Sequence, residues 1–166
     1  MALTPVALAQ GMYLSHHWFG NSKPADLNLA NVPTAVFSQP SFACVGMTEE
    51  QAIERKKPFD VYTTRFKHMK FSFSDKSQAE TTLMKVIVDI ATDKVLGIHV
   101  VSSDAAEIVQ GIAVAMNAGL TKQTLDQTIG IHPSAAEELV TLRNVTRRVE
   151  SFPEKINEKK GIQHGQ

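Results

Sequence analysis

The chain has 166 residues, 43% of them apolar and 20% charged, which fits one globular domain of ordinary size with a piece attached. Its 17 Lys and Arg balance 17 Asp and Glu, so charge gives no reason to expect nucleic acid or an anionic membrane as partner. The single cysteine, Cys44, excludes an internal disulfide or a cysteine-based zinc site, and no apolar run nears the roughly 18 residues of a membrane span.

The first element is a helix opened by Thr4-Pro5, with Thr as N-cap and Pro at the first helical position. Val6, Leu8, Ala9, Met12, Tyr13 and Phe19 form its apolar band, and Gly20 stops it. His16 and His17 on this helix point to different faces and make a poor metal pair, so no metal is expected. Residues 20–33 are rich in Asn, Pro and Gly and read as a linker. Thr34–Phe37 and Phe42–Val45 read as short strands around Gln39-Pro40, with Cys44 as a small buried side chain. Thr48 and Gln51 have capping-box spacing and start a helix that ends near Lys57-Pro58.

Phe59–Phe66 has strand character. Lys67–Ala79 is polar and irregular, with Met69, Phe71 and Phe73 read as edge-strand packing. Leu83–Ile90 is the clearest strand, with Met84, Val86, Val88 and Ile90 on one face. Val95–Val101 follows after a short loop, with Leu96, Ile98 and Val100 facing one way. Asp104 and Glu107 are placed to cap a long helix that Gly119 ends. Apolar residues cover more than half of that helix, which predicts a sheet against one face and a partner subunit against another. Thr121 caps a short helix to about Gln127. The expected architecture is α+β: an antiparallel sheet of about five strands with helices packed on it as a two-layer sandwich.

The chemistry concentrates in Ile131–Leu139. His132 precedes Pro133, and Ser134 with Glu137 has capping-box spacing at the start of a helix over 134–143. His132 therefore sits at a turn beside two carboxylates, Glu137 and Glu138. As a plain reading it is a turn residue outside a capped helix. As a functional reading, a carboxylate fixes the imidazole, which then exchanges a proton near neutral pH. A thiolate is the natural client of such an acid, yet the chain supplies only one cysteine. A serine hydrolase built on Ser134, His132 and Glu137 is disfavoured, because neighbours on one turn rarely converge as a triad.

Thr128–Arg143 (TIGIHPSAAEELVTLR) resembles the C-terminal signature of the glutathione reductases, flavin- and NADPH-dependent disulfide reductases. Leu3–Ala7 resembles the helix that closes that family's FAD domain. Pro33–Ser38, Val45–Glu50, Leu83–Lys85, Lys94–His99 and Ala106–Gly111 resemble its interface domain. The H-P-x-x-x-E spacing is shared with dihydrolipoamide dehydrogenase and mercuric reductase, whereas Glu137–Thr141 resembles the glutathione and trypanothione branch. Thr146–Val149 resembles plant and cyanobacterial-type glutathione reductases.

The resemblance implies that His132 is the acid/base protonating the leaving glutathione thiolate, in the partner subunit's site of a homodimer, and that Glu137 orients it. It implies that Glu138, Thr141 and Met69 bind glutathione disulfide, that Thr4, His132 and Pro133 lie near the flavin, and that the His132–Pro133 bond is cis. FAD and NADPH are the implied cofactors of the intact enzyme, with none expected on this chain alone; the single cysteine fits a reducing cytoplasm, the expected location. Residues 1–31 are expected to be a remnant of the FAD-binding domain, 32–150 the interface domain and 151–166 a flexible tail. The chain is expected to be part of a larger enzyme whose FAD and NADPH domains and redox cysteines precede Leu3. A non-catalytic dimerisation module, or the same domain of a trypanothione or dihydrolipoamide-type reductase, is the alternative. Lys67-His68-Met69 departs from the family's more usual Thr or Arg, Pro, Met, and Gln39 stands where many relatives have His.

Overall fold

The computed structural model of the chain describes residues 3–21, 24, 26–72 and 80–152. The expected tail from 153 onward and the expected packing of Phe73 lie outside the described residues.

Two adjacent strands fix the architecture. β4 (Thr81–Asp89) and β5 (Val95–Val101) pair antiparallel across a short loop in which Asp93 adopts a positive φ of 59°. β3 (Phe59–Lys67) flanks β4 in a long antiparallel register, Phe59 opposite Asp89 through Lys67 opposite Thr81. On the other side β2 (Phe42–Gly46) pairs with β5, and β1 (Thr34–Val36) forms that edge. β6 (Arg147–Val149) pairs with β3 and forms the opposite edge. The result is a six-stranded antiparallel sheet in the order β1-β2-β5-β4-β3-β6, an α+β fold with one strand more than the sequence pattern shows. β6 has no apolar alternation of its own. Arg148 ties it down, donating two hydrogen bonds to the buried Asp60 carboxylate at 2.8 and 2.9 Å.

Helices cover both faces. α3 (Ala105–Asn117) lays Val109, Ala113 and Met116 on β2 and β5, and α4 (Lys122–Gln127) and α5 (Glu137–Thr141) complete that layer through Leu125 and Leu139. α2 (Glu49–Glu54) covers part of the other face, where Ala52, Phe59, Val61 and Ile87 form a second cluster. Met84, Val86 and Val88 share the α3 face as the alternation predicts. Leu96 does not join Ile98 and Val100. A bulge at β4–β5 pairs Ile87 with Gly97 and Val88 with Val95, so Leu96 is the extra residue and packs in the second cluster. One inserted residue reverses the side-chain phase beyond it.

The helix starts separate by what else competes for the capping group. Thr48 and Gln51 close the expected box, and Thr121 accepts the Thr124 N–H. Asp104 makes no cap bond, because its carboxylate pairs with Lys70 at 2.5 Å. α1 (Thr4–Phe19) starts one residue earlier than expected: Leu3 is the cap and Thr4 lies in the first turn. Cys44 is only half-buried, its Sγ 3.2 Å from Thr34 Oγ1.

Backbone closeness at the β2–β5 end makes Gly97 irreplaceable. A Cβ there would lie 2.1 Å from the Met47 carbonyl oxygen, whereas one at Gly111 in α3 would meet nothing within 4 Å. Gly97→Ala is expected to cost about 3 kcal/mol or more from the backbone clash. Gly111→Ala should gain roughly 0.5–1 kcal/mol of helix stability. Urea denaturation of the two variants checks both signs.

His99 adds a pH dependence. It is buried on β5, and its Nδ1 has no hydrogen-bond partner among the described residues. Burial lowers its pKa from 6.5 and the nearby Lys85 lowers it further, against opposition from Glu49 and Glu50. The unfolded chain then binds the proton more readily, so stability is highest above pH 6.5 and falls as pH drops below it. Denaturation midpoints at about pH 8 and pH 5.5, on either side of the ordinary histidine pKa, should differ in that direction. The difference should shrink in His99→Gln; an equal slope in the variant overturns the assignment.

Candidate functional site

The turn between α4 and α5 projects from the end of the core. Leu125 and Leu139 bury its two flanks, and Arg143 pairs with Asp126 at 2.6 Å to close its base. Within it the His132–Pro133 bond is cis, and the Ser134 N–H returns to the Ile131 carbonyl at 2.8 Å. The helix is shorter than the sequence predicts, starting at Glu137 rather than Ser134.

Half of the expected capping box forms. Ser134 Oγ accepts the Glu137 N–H at 3.2 Å. The Glu137 carboxylate turns instead to His132, with Oε2 2.9 Å from Nδ1. The Ser134 N–H is already satisfied by the Ile131 carbonyl, which leaves the carboxylate to His132. Gly130 lies so close to the Glu137 stem that a Cβ there would stand 2.7 Å from Cγ. The pair is asymmetric in exposure: the His132 side chain is 72% exposed and that of Glu137 25%. With Nδ1 held, Nε2 is the ring atom left for an external partner.

A cleft of about 170 Å³ opens beside this pair. One wall is His132, Pro133, Ser134, Glu137 and Glu138. The other is the end of β3 and the turn after it: Phe66, Lys67, His68 and Met69. Met69 begins a short 3₁₀ helix (Met69–Phe71) rather than an edge strand, because Lys70 anchors that segment to Ser103 and Asp104. Glu138 accepts a long hydrogen bond from Thr64 Oγ1 at 3.5 Å.

The structure thus gathers His132, Pro133, Glu137, Glu138 and Met69 around one cleft. Thr141 is exposed one turn beyond Glu137, its hydroxyl donating to the Glu137 carbonyl at 3.2 Å, and Thr4 is exposed in the first turn of α1; neither lines the cleft. In the sequence Lys67 and His68 stand out only as departures from a pattern, and Thr64 and Phe66 do not stand out as site residues. The period-two alternation of β3 was the available signal, since it puts Thr64 and Phe66 on one face. Among the described residues no group of three or more His, Cys, Asp or Glu could hold a metal ion, and no helix is long and apolar enough to cross a membrane.

The family profile of the pyridine nucleotide-disulphide oxidoreductase dimerisation domain matches residues 32–143. The chain belongs to this family. Over 147 residues it is 49% identical to "Glutathione reductase, chloroplastic/mitochondrial" of Pisum sativum, covering 89% of this chain and 26% of that protein. It is 47% identical to a glutathione reductase of Nostoc sp., covering 85% of this chain and 30% of the relative. The HOCl-induced flavoprotein disulfide reductase RclA from Escherichia coli superposes with a TM-score of 0.68 at 29% identity, over 86% of this chain and 32% of that one. The chain therefore spans about a quarter to a third of the length of the relatives it matches. It is a dimerisation domain of the glutathione reductase type.

The Asp126–Arg143 pair is half-exposed and is expected to add less than about 1 kcal/mol to global stability. Its effect should be local. Arg143→Ala should speed amide exchange at Ser134 and Glu137 while β4 amides keep their protection. Unchanged exchange in the turn would show that the pair does not hold it.

Proposed function

We propose that this chain is the dimerisation part of an FAD- and NADPH-dependent glutathione-disulfide reductase, delivering His132 to the disulfide site of the partner subunit in a homodimer. The observation that carries the reading is the His132–Glu137 pair, 2.9 Å apart on an exposed turn, in a chain whose relatives are glutathione reductases.

In this reading His132 and Glu137 are the catalytic pair. His132 donates its Nε2 proton to the glutathione thiolate released when the disulfide is split. Glu137 holds Nδ1 and fixes the ring. Met69 and Glu138 bind the peptide, supported by their sharing the cleft with His132. Thr141 joins them from the next turn of α5. The exposure of His132 fits a group that works on another chain.

The residues present also fit the edge of a flavin site. The backbone at His132–Pro133 lies on an exposed turn next to Ile131, itself 79% exposed, which suits contact with a planar ring. Thr4 lies in the first turn of α1, where the positive helix end favours a developing negative charge. FAD and NADPH would supply the electrons for disulfide cleavage. Cys44 is the only thiol of the chain, so the redox dithiol comes from sequence outside it. Residues 1–31 belong to the flavin side, 32–150 to the interface domain and 151–166 to a tail, with the family match beginning at residue 32 in support of the first boundary. The proposed setting is a reducing compartment such as the cytoplasm.

The purified chain mixed with FAD, NADPH and glutathione disulfide is expected to show no turnover, and measurable turnover would overturn the proposed division of labour. In an intact relative such as the pea enzyme, replacing the histidine equivalent to His132 by Ala should lower kcat by roughly 10²-fold or more, the usual size of an acid/base contribution. Unchanged turnover would leave the domain a dimerisation role alone.

A further inference from the structure

The cleft beside His132 contains one polar ring to which the proposed chemistry gives no task. His68 follows β3 with an extended backbone, φ −62° and ψ 135°. Strand alternation therefore carries the face of Thr64 and Phe66 on to His68. That face meets α5: Thr64 donates to Glu138, and Phe66 packs against the core cluster that holds Leu139. His68 is half-buried and lines the cleft together with Met69 and His132.

Its ring is fixed in place and in tautomer. Nδ1 accepts the Lys70 N–H at 2.9 Å, and Phe71 meets the ring nearly edge-on, with centroids 6.4 Å apart at 80°. A ring nitrogen that accepts a hydrogen bond carries no proton, so the neutral imidazole holds its proton on Nε2. The turn is itself anchored, because Lys70 Nζ reaches Ser103 Oγ at 2.8 Å and Asp104 at 2.5 Å. Nε2 makes no hydrogen bond to any described residue. The opposite wall offers the carboxylates of Glu137 and Glu138, which repel the carboxylates of a peptide and accept only from its N–H groups. A peptide seated here has oxygen acceptors left over, and a fixed neutral donor on the facing wall suits them.

We propose that His68 is a specificity-determining residue of this cleft, its Nε2–H donating a hydrogen bond to an oxygen of the glutathione peptide lying against Met69. The proposal rests on the reading of the cleft as a glutathione half-site.

Two variants separate the ring's two jobs. His68→Asn keeps an acceptor near the Nδ1 position for the Lys70 N–H but has no donor at Nε2. His68→Gln places a donor near Nε2 but gives up the acceptor. The labelled 166-residue chain is titrated with glutathione disulfide, following the His132 ring and Met69 methyl resonances, with β4 amides reporting that each variant is folded. In wild type both resonances should shift to saturation. His68→Asn should weaken binding about tenfold, the effect of one lost hydrogen bond, and His68→Gln should stay within about threefold of wild type. Wild-type affinity in His68→Asn overturns the contact while leaving the half-site reading intact. Equal weakening in both variants also overturns it, assigning the ring to turn geometry alone. If neither His132 nor Met69 responds in wild type, the half-site reading itself falls, and this proposal with it.

Discussion

Val86, Ile87 and Val88 are buried in succession on β4, the two valines toward α3 and the isoleucine toward α2. A strand buried on both faces cannot slip by one residue without moving each set of side chains into the wrong layer. That constraint pins β3 and β5 in register on either side, and the other elements follow. β3 is held along its length, so its last residues bring Phe66, and then His68 and Met69, to one wall of the cleft. Leu139 anchors α5 in the same core, so the His132 turn takes its position from buried apolar contacts although almost nothing in the turn is buried.

Within that frame one carboxylate decides the character of the site. Glu137 begins a helix whose first N–H groups need acceptors. Ser134 satisfies the N–H of Glu137 itself, which leaves the Glu137 side chain for His132. A histidine at a turn thereby becomes a histidine with one nitrogen held and the other presented to solvent. The same trade appears at Asp104, which gives up its helix cap for Lys70 and so fixes the segment that carries His68 and Met69.

The Asp126–Arg143 and Lys70–Asp104 pairs are partly exposed on both sides and add little to stability, whereas Asp60 is buried and needs Arg148 as its partner. Their role is to select one arrangement among several of similar energy. Asp126–Arg143 closes the base of the turn, Lys70–Asp104 fastens the facing wall, and Arg148–Asp60 adds an edge strand to β3. Cutting either of the two exposed pairs is expected to loosen a segment while the sheet stays folded. The sheet depends on β4 and β5, and none of these pairs reaches them.

Features that depend on neighbours a few residues apart are legible in the covalent order alone. The alternation in β4, the Thr48–Gln51 box, the stop at Gly119 and the His-Pro turn before a helix were all legible, as was the antiparallel sheet they imply, although that helix is shorter than the spacing predicts. The resemblance of Thr128–Arg143 to a reductase signature was also legible, and the family match bears it out. Tertiary structure alone decided the features that join distant residues. β6 exists because Arg148 finds Asp60, 88 positions away. Leu96 changed faces because the pairing with β4 bulges at Ile87 and Val88. Glu137 chose His132 over the helix start, a competition between two partners that the spacing leaves open and the geometry of the turn resolves. Local periodicity is written in covalent order. Which charge meets which, and which face a bulged residue takes, depend on distances that exist only after the sheet has closed.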